Sequence, residues 1–363
     1  MASNKNQHFV PRCYLKPFAL EPSFATINLF NIDRLRFIEG APLKHQCSGN
    51  YFYGQDLQLE KALQATEGAY SATLAEILKP GYDLSDKHRF LLRRFWLLQH
   101  LRTEAASLRA IEMTTTMGRA AGVPAEQFRM NIREAVRESM RTFVDAMHSV
   151  DDLKICLLRN RTKVPFVTSD DPAVLTNRWY LESQRTRGKS FGLHSAGALL
   201  LLPLSPEVLC LGYDGDVYSL PHEKGWIAVK QEADVCALNQ HQFFNCLANI
   251  FVKDRAHGGL IQDAYAAAAA LRPKARHTLH YAVLEGHHGD HSRYRVVAQS
   301  TAPAHEQALI HVQTIHANPS AWPKQVQWRA NGSVYTNGTG VGYLRRAWLG
   351  RFEGPAFQKE RLR

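Results

Sequence analysis

The stretch that most constrains this chain is His88 to Ala106, HRFLLRRFWLLQHLRTEAA. On a helix turning roughly 100° per residue, Arg89, Arg93, His100 and Glu104 share one narrow charged strip, expected to face solvent. Leu91, Leu92, Phe95, Trp96 and Leu98 fill the far side. A helix apolar over most of its circumference is a buried one. Arg102 falls opposite the charged strip, among Leu91, Phe95 and Leu98, with Gln99 beside it. Arginine is almost never fully buried unless paired, because an isolated charge is costly to remove from water. Two arrangements meet that demand. One is an ion pair with a Glu or Asp of another element. The other is a pocket in which Arg102 and Gln99 meet a ligand or a catalytic group.

At 363 residues the chain can form one large or two ordinary domains. Basic residues exceed acidic ones by 11, and such an excess favours a polyanionic partner, RNA or DNA above all. The basic residues are spread along the chain. Arg129, Arg133, Arg137 and Arg141 recur at helical spacing, either as a phosphate-binding stripe or as a solvated face balanced by Glu126, Glu134 and Glu138. No apolar run reaches the roughly 18 residues a membrane helix needs. The opening MASNKNQHFV lacks the apolar core of a signal peptide. The expectation is a cytoplasmic protein away from membranes, unless a signal-independent route exports it. Six cysteines without a C-x-x-C pair predict reduced thiols, not a disulfide framework or a zinc site.

Read in order, the pattern predicts an α+β fold. Pro11 and Pro17 make residues 8–18 an extended, ordered opening segment. Residues 24–38 alternate across an Asn31–Asp33 turn and predict a hairpin. Residues 41–53 form a loop ending in Tyr51, Phe52 and Tyr53. Three long helices follow: 56–78, one from Ser85 or Asp83 to about 117, and one from Pro124 to 148. Glu60 edges the apolar stripe of the first helix, and Glu67 lies inside it. Antiparallel strands are expected at 153–158, 166–168, 198–202 and 208–213, with 177–189 an exposed arginine-rich loop and 232–248 a closing helix. Residues 1–253 form the main domain. Residues 254–363 form a basic accessory region, with a helix at 260–271, strands at 279–284 and 294–298, and a tail carrying Arg345, Arg346, Arg351, Lys359, Arg361 and Arg363.

A set of ordered motifs points to a family. Gln7-His8-Phe9-Val10-Pro11-Arg12 opens the set, with Tyr14-Leu15 and Phe18. Then come Asn50-Tyr51-Phe52-Tyr53, Leu59-Glu60 with Glu67, and Gln99-His100-Leu101-Arg102-Thr103. Thr168-Ser169-Asp170-Asp171-Pro172, Pro203-Leu204-Ser205-Pro206 and Leu238-Asn239 complete it. The series resembles domain-of-unknown-function family 4238, over roughly residues 7–253. The family pattern usually carries Asn where Asp171 stands, which makes Asp170 the better functional candidate. The resemblance implies no activity.

The residues themselves allow chemistry. Asp170 follows the apolar strand PFVT and precedes a proline turn, which suits a carboxylate at a cleft mouth or an Asx-turn. His8 suits general acid–base work, or a structural hydrogen bond. Glu67, with Glu60 and Asp170, could ligate a divalent cation such as Mg or Mn; alternatively Glu67 is the buried partner of Arg102. Together His8, Gln99, Arg102 and Asp170 would supply catalytic groups, Glu67 and Asp170 the metal ligands, and Arg12, Tyr53 and Arg102 the substrate contacts. Those are the parts of a metal-dependent nuclease or phosphodiesterase, acting in defence or as a toxin. The alternative is a non-catalytic nucleic-acid or nucleotide-binding module. His287-His288-Gly289-Asp290-His291 is metal-rich in composition but reads as a glycine turn. No P-loop and no G-x-G-x-x-G occurs.

Overall fold

Prolines decide how the chain begins. The computed structural model describes residues 5–55, 57–128, 130–289, 291–298, 308–352 and 354–362; Arg129, Asp290 and Arg363 lie outside them. A short strand β1 (Asn6–His8) leads into a single helical turn α1 (Arg12–Leu15), with Pro11 at its N-cap. The expected hairpin is β2 (Thr26–Asn31) with β3 (Arg36–Pro42), paired antiparallel. Within the stretch expected to be a loop, β4 (Ser48–Asn50) pairs with β1, Gln7 opposite Gly49. That pairing brings the 51–53 aromatics beside His8.

The helical layer differs from expectation in where its helices break. It comprises α2 (Leu57–Ile77), α3 (Asp86–Arg102), α4 (Glu104–Ala120), α5 (Ala125–Phe128) and α6 (Ile132–Ala146). Ser85 caps α3 as its position predicts. The long second helix is two, because Thr103 leaves helical geometry (ψ 160°) and its hydroxyl accepts from the Ala106 N–H. Asn131 and Glu134 form a capping box that starts α6 afresh, so the third helix is also divided. The charged strip of α3 does not face solvent. Arg89 donates to the Leu84 carbonyl at 2.7 Å and Arg93 to the Leu153 carbonyl at 2.9 Å. His100 Nδ1 lies 3.1 Å from the Ala173 carbonyl. These side chains reach backbone carbonyls just before α3 and just before the strands Lys154–Asn160 and Val174–Thr176, not water, and Phe90 is exposed instead.

The sheets follow: β5 (Lys154–Asn160), β6 (Thr168–Ser169), β7 (Val174–Thr176), helix α7 (Arg178–Glu182), β8 (Leu199–Ser205), β9 (Val208–Tyr213), β10 (Tyr218–Ser219), β11 (Trp226–Val229), helix α8 (Glu232–Asn245) and β12 (Asn249–Val252). One sheet runs β11-β5-β9-β8-β7, with only β11 and β5 parallel; the other runs β3-β2-β12-β6 and is antiparallel throughout. Continuous apolar runs suit strands buried on both faces. Ile155, Leu157, Leu200 and Leu202 enter the core under α3, while Cys156, Leu158, Leu199 and Leu201 enter the core on the opposite face. Residues 177–189 are not an open loop: Asn177 caps α7, and Trp179 and Tyr180 are buried. An aromatic pair inside a polar stretch outweighed its arginines.

Beyond residue 254, α9 (Gly258–Ala269) packs on α8 and on the β2–β3 hairpin, and β13 (His277–His288), β14 (His291–Val297) and β15 (Ala308–Thr314) form an antiparallel sheet. Val326, Val334 and Tyr343 join the same core cluster as Val235 and Leu238. Arg345, expected in a basic tail, is 1% exposed; it bonds the Leu193 carbonyl and pairs with Asp152. All six cysteines are free thiols. Among the described residues no helix is long and apolar enough to cross a membrane.

Candidate functional site

The last turn of α3 carries Gln99 and Arg102 inward, and both side chains are fully buried. Arg102 Nε donates to Tyr53 Oη at 2.9 Å; Nη2 donates to Glu67 Oε1 at 2.7 Å and to the His8 carbonyl at 2.8 Å. Tyr53 Oη in turn donates to the His8 carbonyl at 3.2 Å. One guanidinium thus ties β1, the 51–53 turn and α2 to α3. Burial alone would lower its pKa, but Tyr53 and Glu67 outweigh that and raise it. Of the two roles open to Glu67, the ion pair is the one it occupies.

The joint is not fully satisfied. Arg102 Nη1, both amide atoms of Gln99 and His8 Nε2 are buried with no hydrogen-bond partner among the described residues. Each such atom costs about 1–3 kcal/mol, and native proteins normally recover that with a water, an ion or a ligand. Beside the joint lies a cavity of about 380 Å³ lined by His8, Arg12, Cys13, Tyr53, Glu60 and Glu67, with Gln7 and Gln64 among their neighbours. Gln99 and Arg102 do not line it; Arg102 sits behind Tyr53 and Glu67.

The cavity's groups sort by protonation. Burial, then Arg12 and Arg102, press the His8 imidazole down to about 4, so it is neutral near pH 7. Burial and Glu67 push the Cys13 thiol up to about 11, which makes it a poor nucleophile. Burial pushes Tyr53 up to about 12, so its phenol stays protonated. Among the described residues, the side chains of Arg12 and Glu60 have no ion pair or hydrogen bond, and both face the cavity as free charges. The sequence offered no role for Gln7, whose amide clasps the Tyr53 N–H at 2.7 Å and the Gly54 carbonyl at 3.0 Å. Its place at the head of the opening motif was the available signal.

Asp170 lies elsewhere. Its carboxylate accepts from the backbone N–H groups of Leu247, Ala248 and Asn249 at 2.7–2.8 Å, where the chain leaves α8 for β12. Burial still pushes its pKa up to about 6 despite those donors. Asp170 does not line the His8 cavity, so the structure does not bring it together with Glu67 as expected for a metal pair. Among the described residues, no group of three His, Cys, Asp or Glu side chains could hold an ion. Glu67 is claimed by a guanidinium and Asp170 by three backbone N–H groups, which leaves Glu60 without a second carboxylate beside it free to share an ion. The neighbouring Asp171 is fully buried, accepts from the Thr103 hydroxyl at 2.6 Å and pairs with Arg109 at 2.5 Å.

The remaining motif residues hold these segments in place. Asn239 Nδ2 donates to the Pro165 carbonyl and Gln242 Nε2 to the Pro172 carbonyl, so α8 clasps both ends of the segment that carries β6 and Asp170. No curated protein and no solved structure matches this chain. One family does, described as "Protein of unknown function (DUF4238)", over residues 6–256, a span that contains His8, Arg12, Tyr53, Glu67, Gln99, Arg102 and Asp170. With more than half its length matched, the chain belongs to the DUF4238 family.

Proposed function

We propose that the cavity beside the Arg102 joint binds and cleaves phosphodiester bonds of nucleic acid, with RNA the favoured substrate. The observation that carries this reading is a neutral histidine, His8, whose Nε2 has no partner among the described residues, in the same cavity wall as the guanidinium of Arg12, also unpaired among them. A neutral imidazole can accept a proton, and a free guanidinium matches phosphate geometry. The net charge of +11 favours a polyanionic substrate. RNA is favoured because its own 2′-hydroxyl can act as the nucleophile, which needs no metal-activated water. In that step His8 takes the hydroxyl proton, the freed oxygen bonds to phosphorus, and the 5′ oxygen leaves with a proton from water. Arg12 neutralises the charge that gathers on the phosphoryl oxygens.

The rival reading, a binding module without catalysis, is favoured by one fact: Arg102 and Asp170 are both engaged by protein partners. Incubating the full chain with labelled RNA and DNA, with Mg²⁺, with Mn²⁺ or with EDTA, separates the two. Cleavage of RNA that persists in EDTA and falls by about 10²-fold or more in His8→Ala supports the proposal. Cleavage only with added metal restores a metal-dependent nuclease. Salt-sensitive retention of either nucleic acid without cleavage favours the binding module.

A further inference from the structure

A second cavity, of about 470 Å³, opens between the α3–α4 elbow, α8 and the chain just after β15. It shares no lining residue with the His8 cavity. Two guanidiniums meet in its wall. Arg109 spends one nitrogen on Asp171, 2.5 Å away. Arg276 has no ion pair or hydrogen bond from its side chain among the described residues. Burial, then repulsion from Arg109 and Arg272, lowers its pKa. Asp171 is the acidic group that offsets this crowding, and it is already shared between Thr103 and Arg109.

An independent observation comes from α8. His241 is 3% exposed, lines the same cavity, and its Nε2 is buried without a hydrogen-bond partner among the described residues. Much of the rest of the wall is apolar or aromatic. Phe244 and Ile315 contribute, and the His316 ring stacks on Phe191 at 3.5 Å between centroids. Cavities of roughly 300–1,000 Å³ with an apolar lining and a few convergent polar groups are the usual form of small-molecule sites. Like-charged guanidiniums held together in a partly buried wall repel one another, and an anion between them reverses that sign.

We propose that this second cavity binds a small organic anion, a carboxylate or a phosphate monoester on an aromatic or apolar body. Arg109 and Arg276 hold the anionic head, His241 Nε2 hydrogen-bonds the ligand, and Phe191, Phe244 and Ile315 cover its body. Arg276 lies beyond the family-matched span, so the site is completed by the C-terminal third of the chain. The proposal stands apart from the nuclease reading, since it uses none of the same residues.

The test is calorimetric titration of the full chain with naphthyl phosphate, with naphthoate and with neutral naphthol. Saturable binding of at least one anion, with naphthol much weaker, is expected, and the tighter anion identifies the head group. Arg276→Gln, at a half-buried position outside any ion pair among the described residues, should weaken that binding by about tenfold or more, the usual effect of removing one charged hydrogen bond. Arg12→Gln, in the other cavity, should leave it unchanged. No saturable binding of either anion, naphthol binding as tightly, or equal weakening by the two variants would overturn the assignment. Failure of His8→Ala to alter RNA cleavage would not touch it.

Discussion

The buried Tyr14 hydroxyl donates to the Pro203 carbonyl at 2.6 Å and accepts from the Thr168 hydroxyl at 2.7 Å. One phenol therefore joins the opening HFVPRCYL segment, the strand before Asp170 and the PLSP bend. Its ring packs against Tyr70 and Phe95, so the helical layer meets both sheets at this side chain. Tyr14→Phe keeps the ring and removes the hydroxyl that bonds the Pro203 carbonyl and the Thr168 hydroxyl. The expected loss is about 1–3 kcal/mol, read as a lower urea midpoint with an unchanged slope. An unchanged midpoint would show that the hydroxyl does not hold these segments together.

Glu67 is the only carboxylate paired with Arg102 among the described residues, and Arg102 is wholly buried. Glu67→Gln should cost about 3 kcal/mol, the lower end for breaking a buried pair, because the Glu67 side chain is 27% exposed. The double variant Glu67→Gln/Arg102→Met should be less damaged than Glu67→Gln alone, since it leaves no stranded charge. Equal damage in single and double variants would mean that the guanidinium finds water or another acceptor.

Acid should unfold the protein earlier than its surface charge alone predicts. His8, His241 and His316 are each held down to about 4 by burial, against an ordinary 6.5. A depressed histidine contributes stability that is complete above 6.5 and is lost as pH falls toward 4. Asp170, raised from 3.8 to about 6, works the other way: its contribution is complete below 3.8 and is lost as pH rises through 6. Burial lowers His100 and His194 and raises Glu104 and Asp214 as well, so five histidines oppose three carboxyls, and melting temperature should fall on acidification from pH 6.5 to 4. Replacing His241 with Gln should make that fall shallower, and a slope identical to the parent's would count against its buried, neutral state.

Cleavage, if present, should follow the same imidazole. With His8 near 4 in the free protein, kcat/KM for RNA should rise as pH passes about 4 and then level off through neutrality. A rise centred near 6.5 would indicate a different, solvent-exposed base.

Several features were legible one residue at a time. The inward aim of Gln99 and Arg102 follows from helical period alone, and so does the placement of Glu67 on the inner stripe of α2. The hairpin, the closing helix and the strands of the two-faced sheet also carry local patterns. The break at Thr103 was hidden, because threonine followed by Glu-Ala-Ala is equally good as helix interior or as N-cap. The burial of Arg345 was hidden too: nothing near it in the chain announces Asp152 or the Leu193 carbonyl.

Sequence alone determined that a positive charge would be buried in α3 and would need an anion, since a helix's period and the cost of desolvating a guanidinium are local matters. Which anion answered it was a tertiary decision. Glu67 reached Arg102 because β1 paired with β4 and drew α2 and Tyr53 against it, whereas Asp170, next in a motif of equal promise, was claimed by three backbone N–H groups at the end of α8. Two carboxylates that the chain's pattern treats alike ended in different places because hydrogen-bond partners are allotted by proximity in space, and residues far apart in sequence set that proximity.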